Sequence, residues 1–338
     1  MGSQFVDLNG DGNLDYLTAT FDGSPHVAWG SPEGFAEPER LKDAQGRRVV
    51  ISYIWDYEKE THRSVGYAMP DGQPVEERCI SALAFDWDGD GDHDLLLGSY
   101  ENGHLYRQMN EGSDASPAYS GKNIPVLAGG KPWALPARMT APRLVDWDGD
   151  GDMDLIAGTF GGHYGDGSSG GVYLSRNLGK PGAPEFGPLE TLIAPGRMGA
   201  TAPTRPDEGL YVDAADVDGD GDLDLVVGGY STWTPPPREL TAEEKVEAAA
   251  LRAQLSEINH RRMQVSQRYS KAYEAAMKDQ DPTSKETRAK VAEATASVRE
   301  ELLAVGKEYT EVKKKLDAIV PSAQRQSFVW LYERLSTE

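Results

Sequence analysis

Acidic side chains recur at a fixed spacing in a nine-residue stretch that occurs four times in the chain. The clearest copy reads DWDGDGDHD over residues 86–94, and the others span residues 7–15, 146–154 and 216–224. Oxygen-bearing side chains occupy positions 1, 3, 5 and 9 of each copy, and glycine occupies position 6. The first copy differs in carrying Asn9 and Asn13 at positions 3 and 7.

So many carboxylates cannot stay ionised together without a cation, because like charges within a few ångströms repel each other. Calcium suits such a loop, since it takes about six to eight oxygen ligands in flexible geometry, whereas magnesium needs a tighter octahedron. We expect one Ca²⁺ per loop, about four in all, with position 7 contributing its backbone carbonyl and glycine permitting the sharp turn. The candidate metal-site residues are Asp7, Asn9, Asp11, Asn13, Asp15, Asp86, Asp88, Asp90, Asp92, Asp94, Asp146, Asp148, Asp150, Asp152, Asp154, Asp216, Asp218, Asp220, Asp222 and Asp224.

An EF-hand loop begins with the same spacing, but it ends with a bidentate Glu at position 12 and leads into a helix. Here position 12 is Thr18, Leu97, Ala157 or Val227. The residues after position 9 are short apolar runs, which predict a buried strand after each loop. The remaining alternative is an acidic turn that binds nothing, and four copies with one ligand spacing argue against it.

The 338-residue chain has 34 Lys and Arg against 55 Asp and Glu, a formal net charge of −21. The four loops contain 18 of these acids, so much of the acidity belongs to the expected metal sites. Such a surface would repel phosphates, which excludes nucleic acid as a partner. The single cysteine, Cys79, cannot form an intramolecular disulfide and is expected to be a small buried side chain.

No stretch approaches the roughly 18 apolar residues of a membrane span. Because loops of this type suit compartments with millimolar calcium, we expect an extracytoplasmic protein: secreted, periplasmic or at the cell surface. No signal peptide is visible, since the first loop follows Met1 almost at once. We therefore expect either a fragment or a true start that lies upstream.

Strand patterns surround each loop and repeat in the same order. The third repeat predicts strands at residues 143–145, 155–158, 172–179 and 186–193, and the second at 82–85, 95–98 and 105–112. The first repeat predicts strands at residues 4–6, 16–18 and 27–30, with a strong outer strand at 49–55. Repeats of this length with about four strands each are typical of propeller blades.

The four loops and their apolar, glycine-ended exits resemble the FG-GAP/VCBS repeat family, the calcium-loop propellers typified by the head of integrin α chains. The resemblance covers about residues 4–235. It implies an all-β β-propeller, and it implies that side chains at loop positions 1, 3, 5 and 9, with the carbonyl of position 7, bind calcium. Family members commonly close seven blades, and about four are visible here. We expect a partial ring, or further blades that lie outside this chain.

Composition changes after a proline-rich linker at residues 232–237, because residues 241–319 are rich in Ala, Glu and Lys. Capping boxes at Thr241–Glu244 and Thr283–Glu286 predict two helices, and their 4,3 apolar spacing predicts an antiparallel coiled-coil hairpin. Residues 327–332 again look like a third strand. We therefore expect propeller blades at 1–238, an inserted hairpin at 239–320 and a returning propeller strand at 321–338.

Sequence motifs do not reveal a catalytic site: G-x-S-x-G, phosphate-loop and His-x-x-x-His patterns are all missing, and the histidines are scattered. His163 lies in a glycine-rich loop and is a weak candidate ligand. Five tryptophans are candidate sugar platforms, although packing beside the metal loops is the favoured interpretation of two of them: Trp55, Trp87, Trp133, Trp147 and Trp233. Arg262, on the apolar stripe of the hairpin, marks either a partner site or a polar layer.

The leading hypothesis is a non-enzymatic, calcium-stabilised interaction or adhesion module with a protein or glycan partner. The projecting hairpin is a candidate partner or oligomer surface. Two alternatives stay open: a polysaccharide lyase or hydrolase built on a propeller, and a lectin-like glycan binder. An enzyme would need a cleft with an acid and a base away from the metal loops.

Overall fold

The structure, a computed structural model, describes residues 2–56, 61–65, 72–73, 75–161, 167–197, 199, 204–236, 238–278 and 284–335. The chain divides into two compact units, one formed by residues 1–233 with 325–338 and the other by residues 234–324. In the described residues, the first unit is built from strands and the second from two long helices. The prediction of a mostly β protein with two helices near the C-terminal end is therefore confirmed.

The strands follow one another along the chain in four repeats. The first repeat contains β1 (Ser3–Val6), β2 (Asp15–Ala19), β3 (Pro25–Ala28), β4 (Gly30–Ser31), β5 (Gly34–Phe35), β6 (Glu39–Arg40), β7 (Tyr53–Asp56) and β8 (Thr61–Ser64). The second contains β9 (Cys79–Phe85), β10 (Asp94–Ser99), β11 (Leu105–Gln108), β12 (Ile124–Pro125), β13 (Leu127–Ala128) and β14 (Lys131–Pro132). The third contains β15 (Met139–Val145), β16 (Asp154–Thr159), β17 (Val172–Ser175) and β18 (Glu190–Ile193).

The fourth repeat contains β19 (Glu208–Ala215), β20 (Asp224–Trp233) and β21 (Gln324–Tyr332), and the helices α1 (Ala242–Met277) and α2 (Lys285–Ile319) come between its last two strands. The main sheets have the orders β1-β2-β3-β6, β9-β10-β11-β12, β15-β16-β17-β18 and β19-β20-β21. The pairs β4–β5, β7–β8 and β13–β14 form separate two-stranded sheets. None of the sheets formed by the described residues is closed on itself.

Each nine-residue loop joins the first and second strands of its sheet. In every case, the residue before the loop pairs across the ladder with loop position 9; the pairs are Val6 with Asp15, Phe85 with Asp94, Val145 with Asp154 and Ala215 with Asp224. The loop is thus the turn of an antiparallel hairpin, and a strand follows it. This observation excludes the helix that an EF-hand would place there.

Three apolar cores lie between successive repeats, because each inner sheet buries both of its faces. In β10, Leu95 and Leu97 pack toward the first repeat, whereas Leu96 packs toward the third. In β16, Ala157 packs toward the second repeat and Ile156 packs toward the fourth. Because alternate residues of a strand face opposite sides, these short continuous apolar runs supply two cores at once. Full burial of each leucine contributes about 1.5–3 kcal/mol.

The predicted outer strand of the first repeat, at residues 49–55, is wrong. The fourth strand of that sheet is the short β6, and only residues from Tyr53 onward form a strand, β7, which pairs with β8. Val49 and Ile51 are buried in the first core, but side chains satisfy the backbone there: Asn123 donates to the carbonyl of Ile51 at 2.8 Å. Their β-branched character therefore reflects core packing and not strand pairing.

The helices α1 and α2 pack against each other along an apolar stripe that includes Leu251, Leu255 and Ile258. The predicted capping box at Thr241 is confirmed, since its hydroxyl accepts the N–H of Glu244 and its own N–H donates to that glutamate. Thr283, the start of the second predicted box, lies outside the described residues, and α2 begins after Ser284 without a side-chain cap.

Two ion pairs show that the helices run antiparallel. Arg261 pairs with Glu308 and Arg268 with Glu301, so moving seven residues forward along α1 moves seven residues back along α2. Arg262 lies over the ring of Tyr309, with 5.0 Å from its guanidinium carbon to the ring centroid. That contact supports the interpretation of Arg262 as part of a polar layer between the helices. Neither described helix combines the length and apolar character needed to cross a membrane.

A buried carboxylate joins the β7 segment to the second sheet. Glu77 is fully buried; its Oε1 lies 2.7 Å from Nδ1 of His104 and accepts from Asn102 at 2.8 Å, while its Oε2 accepts the Tyr106 hydroxyl at 2.9 Å. The backbone carbonyl of Glu77 accepts the N–H of Tyr53 at 2.9 Å. Burial alone would raise the pKa of Glu77, but hydrogen bonds from His104, Asn102 and Tyr106 outweigh it and lower the pKa.

We predict that Glu77→Gln lowers the free energy of unfolding by about 1.5–3 kcal/mol at pH 7, because a charged acceptor facing several donors is lost. The folded-state pKa is below the ordinary value of 4.5. This contribution is therefore complete above that value and disappears as pH falls through the folded-state pKa. Urea unfolding at pH 7 and at progressively lower pH measures both effects. The matched control is exposed Glu76→Gln; equal destabilisation by both variants would contradict the prediction.

Candidate metal centres

The carboxylate at loop position 9 is the most buried acid of each loop, with at most 1% exposure in all four copies. Its Oδ2 accepts the backbone N–H of loop position 2, at 2.9 Å from Leu8, 3.0 Å from Trp87, 3.0 Å from Trp147 and 3.1 Å from Val217. One oxygen of the side chain therefore closes the loop onto the start of the second strand.

The other oxygen of position 9 reaches the end of the third strand. Its Oδ1 accepts the N–H of the residue two past that strand: Gly30 at 2.7 Å, Asn110 at 2.6 Å, Asn177 at 2.7 Å and Arg334 at 2.9 Å. At the first of these sites, a Cβ would lie 2.1 Å from the carbonyl oxygen of Leu14, which explains the glycine. Position 9 thus joins three strands of every repeat through its two oxygens.

Positions 1 and 5 accept hydrogen bonds from within the loop. The Oδ2 of position 1 accepts the N–H of the position-6 glycine at 2.8–3.2 Å, and the Oδ1 of position 5 accepts the N–H of position 7 at 2.8–3.1 Å. The position-6 glycines have φ between +88° and +97°. That conformation strongly favours glycine, and nothing lies within 4 Å of the place where a Cβ would be.

Three of the loops bring carboxylates together. One ligand atom from each member of a trio lies within 4.8 Å of the other two in these groups: Asp86, Asp88 and Asp90; Asp146, Asp148 and Asp150; and Asp216, Asp218 and Asp224. The groups combine positions 1, 3 and 5 in the second and third loops and positions 1, 3 and 9 in the fourth. The position-7 side chains are in none of them.

The first loop is the exception, because Asn9 replaces an acid at position 3. Among the described residues it forms no such trio of acids. Its Asp11 accepts hydrogen bonds from the backbone N–H of Asn13 and from the side-chain amides of Asn13 and Asn9. These hydrogen bonds lower the pKa of Asp11, with the backbone bond from Asn13 as the largest cause. Amides therefore relieve part of the repulsion that the other loops retain.

Unpaired oxygens mark the other three loops. Oδ1 of Asp92, of Asp146 and of Asp222 is buried without a hydrogen-bond partner among the described residues. A buried carboxylate oxygen without a partner is costly. Oxygen donors that are close together, negatively charged and unsatisfied fit a hard divalent cation, which would neutralise them. The residues present therefore fit a metal ion at these three loops.

Asp92 of the second loop has a pKa well above the ordinary value for a carboxyl group. Burial, together with the nearby charges of Asp90, Asp94, Asp114 and Asp88, raises the pKa of Asp92 to about 6. Burial also raises the pKa of Asp94 and of Asp154, against the opposing effect of their backbone hydrogen bonds. Burial and the repulsion between neighbouring carboxylates therefore act in the same direction at these acids.

Asp114 belongs to the second site although the sequence did not indicate it. Its Oδ1 accepts the backbone N–H of His93 at 2.7 Å, and its Oδ2 lies 2.8 Å from Nδ1 of the same histidine. It comes from the loop after the third strand and stands outside the nine-residue pattern, so spacing carried no signal. The sequence did indicate the asparagines that follow the third strands, because both stand in an Asn-x-Gly pattern. In the structure, the side chains of Asn110 and Asn177 each accept two further backbone N–H groups.

Three of the candidate tryptophans are buried in the fold. Trp87 and Trp147 are buried beside their loops, with the guanidinium groups of Arg107 and Arg334 over their rings at 4.6 and 4.9 Å. Trp133 is buried as well. The packing interpretation of Trp87 and Trp147 is therefore confirmed, as is the burial of Cys79. His163 lies outside the described residues.

Comparison with known proteins agrees with this geometry. The model of an FG-GAP-like repeat matches residues 86–157 and again residues 146–227, which together contain the second, third and fourth loops. A search of curated protein sequences found no significant match.

Asp94→Asn and Asp88→Asn should separate the two roles of the loop acids. In Asp94→Asn, an amide N–H₂ faces one of two backbone N–H donors, so we expect a loss of about 1–3 kcal/mol even in EDTA. Asp88→Asn removes an exposed carboxylate and should leave stability in EDTA unchanged while reducing the gain from calcium. Urea unfolding with and without calcium measures both. Equal losses of unfolding free energy by the two variants in EDTA would refute this division of roles.

Calcium binding near pH 6 should release a proton from Asp92. Because the folded-state pKa is raised to about 6, the folded protein without metal holds this proton below pH 6 and calcium must displace it. Calorimetry at pH 6 in two buffers with different ionisation enthalpies counts the protons released. Asp92→Asn should release fewer protons than the wild type, and an unchanged count would show that Asp92 is not responsible.

Proposed function

Because residues 86–227 belong to the FG-GAP-like repeat family, we propose that the chain is a calcium-stabilised β-propeller module that serves interaction and not catalysis. Each loop would hold one Ca²⁺ ion, about four in all. The observation that carries this proposal is the set of buried, unpaired carboxylate oxygens in the second, third and fourth loops. These atoms need a positive partner, and the loops crowd further carboxylates around them.

Calcium is proposed rather than magnesium for two reasons. The candidate ligands are carboxylates on a loop whose shape is already set by hydrogen bonds at positions 1, 5 and 9. Such a loop offers many oxygens in an irregular arrangement, which calcium accepts and the strict octahedron of magnesium does not. The role of the ion is structural, because it joins positions 1, 3 and 5 to a turn that already holds three strands.

A propeller is proposed because the repeats share two features with propeller blades. Each sheet places its metal loop between its first and second strands, and successive sheets share apolar cores through both faces. We propose that the four main sheets are four blades of a propeller ring. We also propose an extracytoplasmic location, where millimolar calcium would keep the loops occupied.

The helical unit is proposed as a surface for a protein partner. It carries large apolar side chains that its own packing leaves exposed, among them Val246 (72%), Met263 (63%) and Leu303 (59%). The capping box and the interhelical ion pairs stabilise the helices themselves. An interaction module needs such an accessible apolar surface on a rigid support.

Adding millimolar Ca²⁺ to metal-free protein should raise the melting temperature. Binding at 100 times Kd stabilises by about 2.7 kcal/mol per site, and each 1 kcal/mol raises the Tm of a unit of this size by about 2–4 °C. Magnesium at the same concentration should have a smaller effect. Calorimetric melts in EDTA, Mg²⁺ and Ca²⁺ measure this, and equilibrium dialysis counts the ions.

The matched variant combines Asp88→Asn and Asp218→Asn, which removes from two loops an exposed position-3 acid that has no ion pair among the described residues, whereas Asp148 pairs with Arg176. This variant should lose much of the calcium-dependent increase but should melt like the wild type in EDTA. No bound calcium by dialysis, or an unchanged melt in all three solutions, would overturn the structural role of the metal.

A further inference from the structure

A cleft between the second and third repeats has not been assigned a role. It has a volume of about 670 Å³ and is lined by the side chains of Arg107, Met109, Ile124 and Leu127 and by the backbone near Gly129 and Gly182. Leu127 is 49% exposed at its rim. Most of its walls are therefore apolar, and they are built from short segments that follow the third strands of the two repeats.

Arg107 is the one cationic side chain that lines this cleft. It lies on β11, and its guanidinium carbon is 4.6 Å from the ring centroid of Trp87, which is itself buried. Its Nε is buried and has no hydrogen-bond partner among the described residues. Arg107 also forms no ion pair with any acid in the described part of the chain.

This situation differs from that of other arginines in the same unit. Arg78 pairs with Glu101 at 2.6 Å, Arg40 with Asp22 at 3.0 Å and Arg176 with Glu190 at 2.9 Å. Asp94 and Asp88 stabilise the charge of Arg107 from beyond ion-pair distance, whereas burial, the larger effect, lowers its pKa. Stacking on Trp87 stabilises the charge by about 0.5–1 kcal/mol, but it provides no hydrogen-bond acceptor for the buried Nε–H.

We propose that this cleft binds an organic monocarboxylate with an apolar body, and that the guanidinium of Arg107 holds the carboxylate. A planar guanidinium fits a carboxylate with two parallel hydrogen bonds, and a partly desolvated site strengthens them. Met109, Ile124 and Leu127 provide the apolar walls for the rest of the ligand.

The rim of the cleft restricts the charge of the ligand. Asp88 and Glu185 also line it, and both are exposed. Asp88 is also a candidate calcium ligand, so Glu185 is the acid at the entrance whose charge bound calcium would leave in place. It repels a dianion such as phosphate more strongly than a singly charged carboxylate. The apolar walls offer few hydrogen-bond partners for the hydroxyl groups of a uronic acid. The walls and the rim together favour an aliphatic or aromatic acid.

The test uses the full chain in millimolar calcium and measures binding by calorimetry and ligand-detected NMR. The probes are hexanoate, benzoate, hexanamide, glucuronate and inorganic phosphate. We expect saturable binding of hexanoate or benzoate, at least tenfold weaker binding of neutral hexanamide, and weaker binding of glucuronate and phosphate. Hexanamide binding as tightly as hexanoate would overturn the role of the cation. Tighter binding of glucuronate or phosphate would overturn the proposed ligand class.

Arg107→Gln should weaken the binding of hexanoate or benzoate at least tenfold. Leu127→Glu, which adds a third acid at the rim without changing Arg107, should also weaken it about tenfold. The matched control is Arg261→Gln on α1, which should bind like the wild type. Because Leu127 is half exposed, its variant keeps the test valid should Arg107→Gln not fold. Unchanged binding in the folded cleft variants, or no binding of either acid to the wild type, would refute the proposal.

Discussion

Each repeat depends on one buried carboxylate that accepts two backbone N–H groups from different parts of the chain. The acid at loop position 9 accepts one from the loop itself and one from the end of the third strand, in all four repeats. A backbone N–H that is buried without a partner is costly. Removal of this acid would therefore leave two backbone N–H groups without an acceptor. The metal loop and the third strand therefore cannot separate without breaking the same side-chain contacts.

That constraint divides the loop acids into two groups. Position 9 is largely satisfied by protein, although in the fourth loop it also lies within reach of positions 1 and 3. The acids at positions 3 and 5 are exposed, and among those at position 3 Asp148 pairs with Arg176. In the second, third and fourth loops, one oxygen at position 1 or 7 is left buried and unpaired. Charge that the protein does not neutralise has to be neutralised by something else. The side-chain amides of the first loop reduce that demand. With the backbone N–H of Asn13, which is the largest cause, they lower the pKa of Asp11, whereas the pKa values of Asp92 and Asp94 in the second loop are raised.

The sequence predicted the parts of the fold that repeat and missed those that depend on distant contacts. The loops and the central strands were predictable because ligand spacing and short apolar runs are local signals. The outer strands were not: Val49 and Ile51 look like strand residues but serve a core, while β6 and β12 have two residues each and almost no pattern. Asp114 and Glu77 are single acids whose importance comes only from the neighbours that folding brings to them.

The fourth repeat shows how strongly this contact organises the fold. Arg334 donates its backbone N–H to Asp224, as Asn110 and Asn177 do to their own loop acids, although 110 residues separate the two partners. In the third repeat, the corresponding separation is 23 residues. The entropy cost of closing a longer loop grows only slowly with length, and here much of the intervening chain is folded into helices. A long segment can therefore stand between β20 and β21 while the third strand and its hydrogen bond to position 9 are retained.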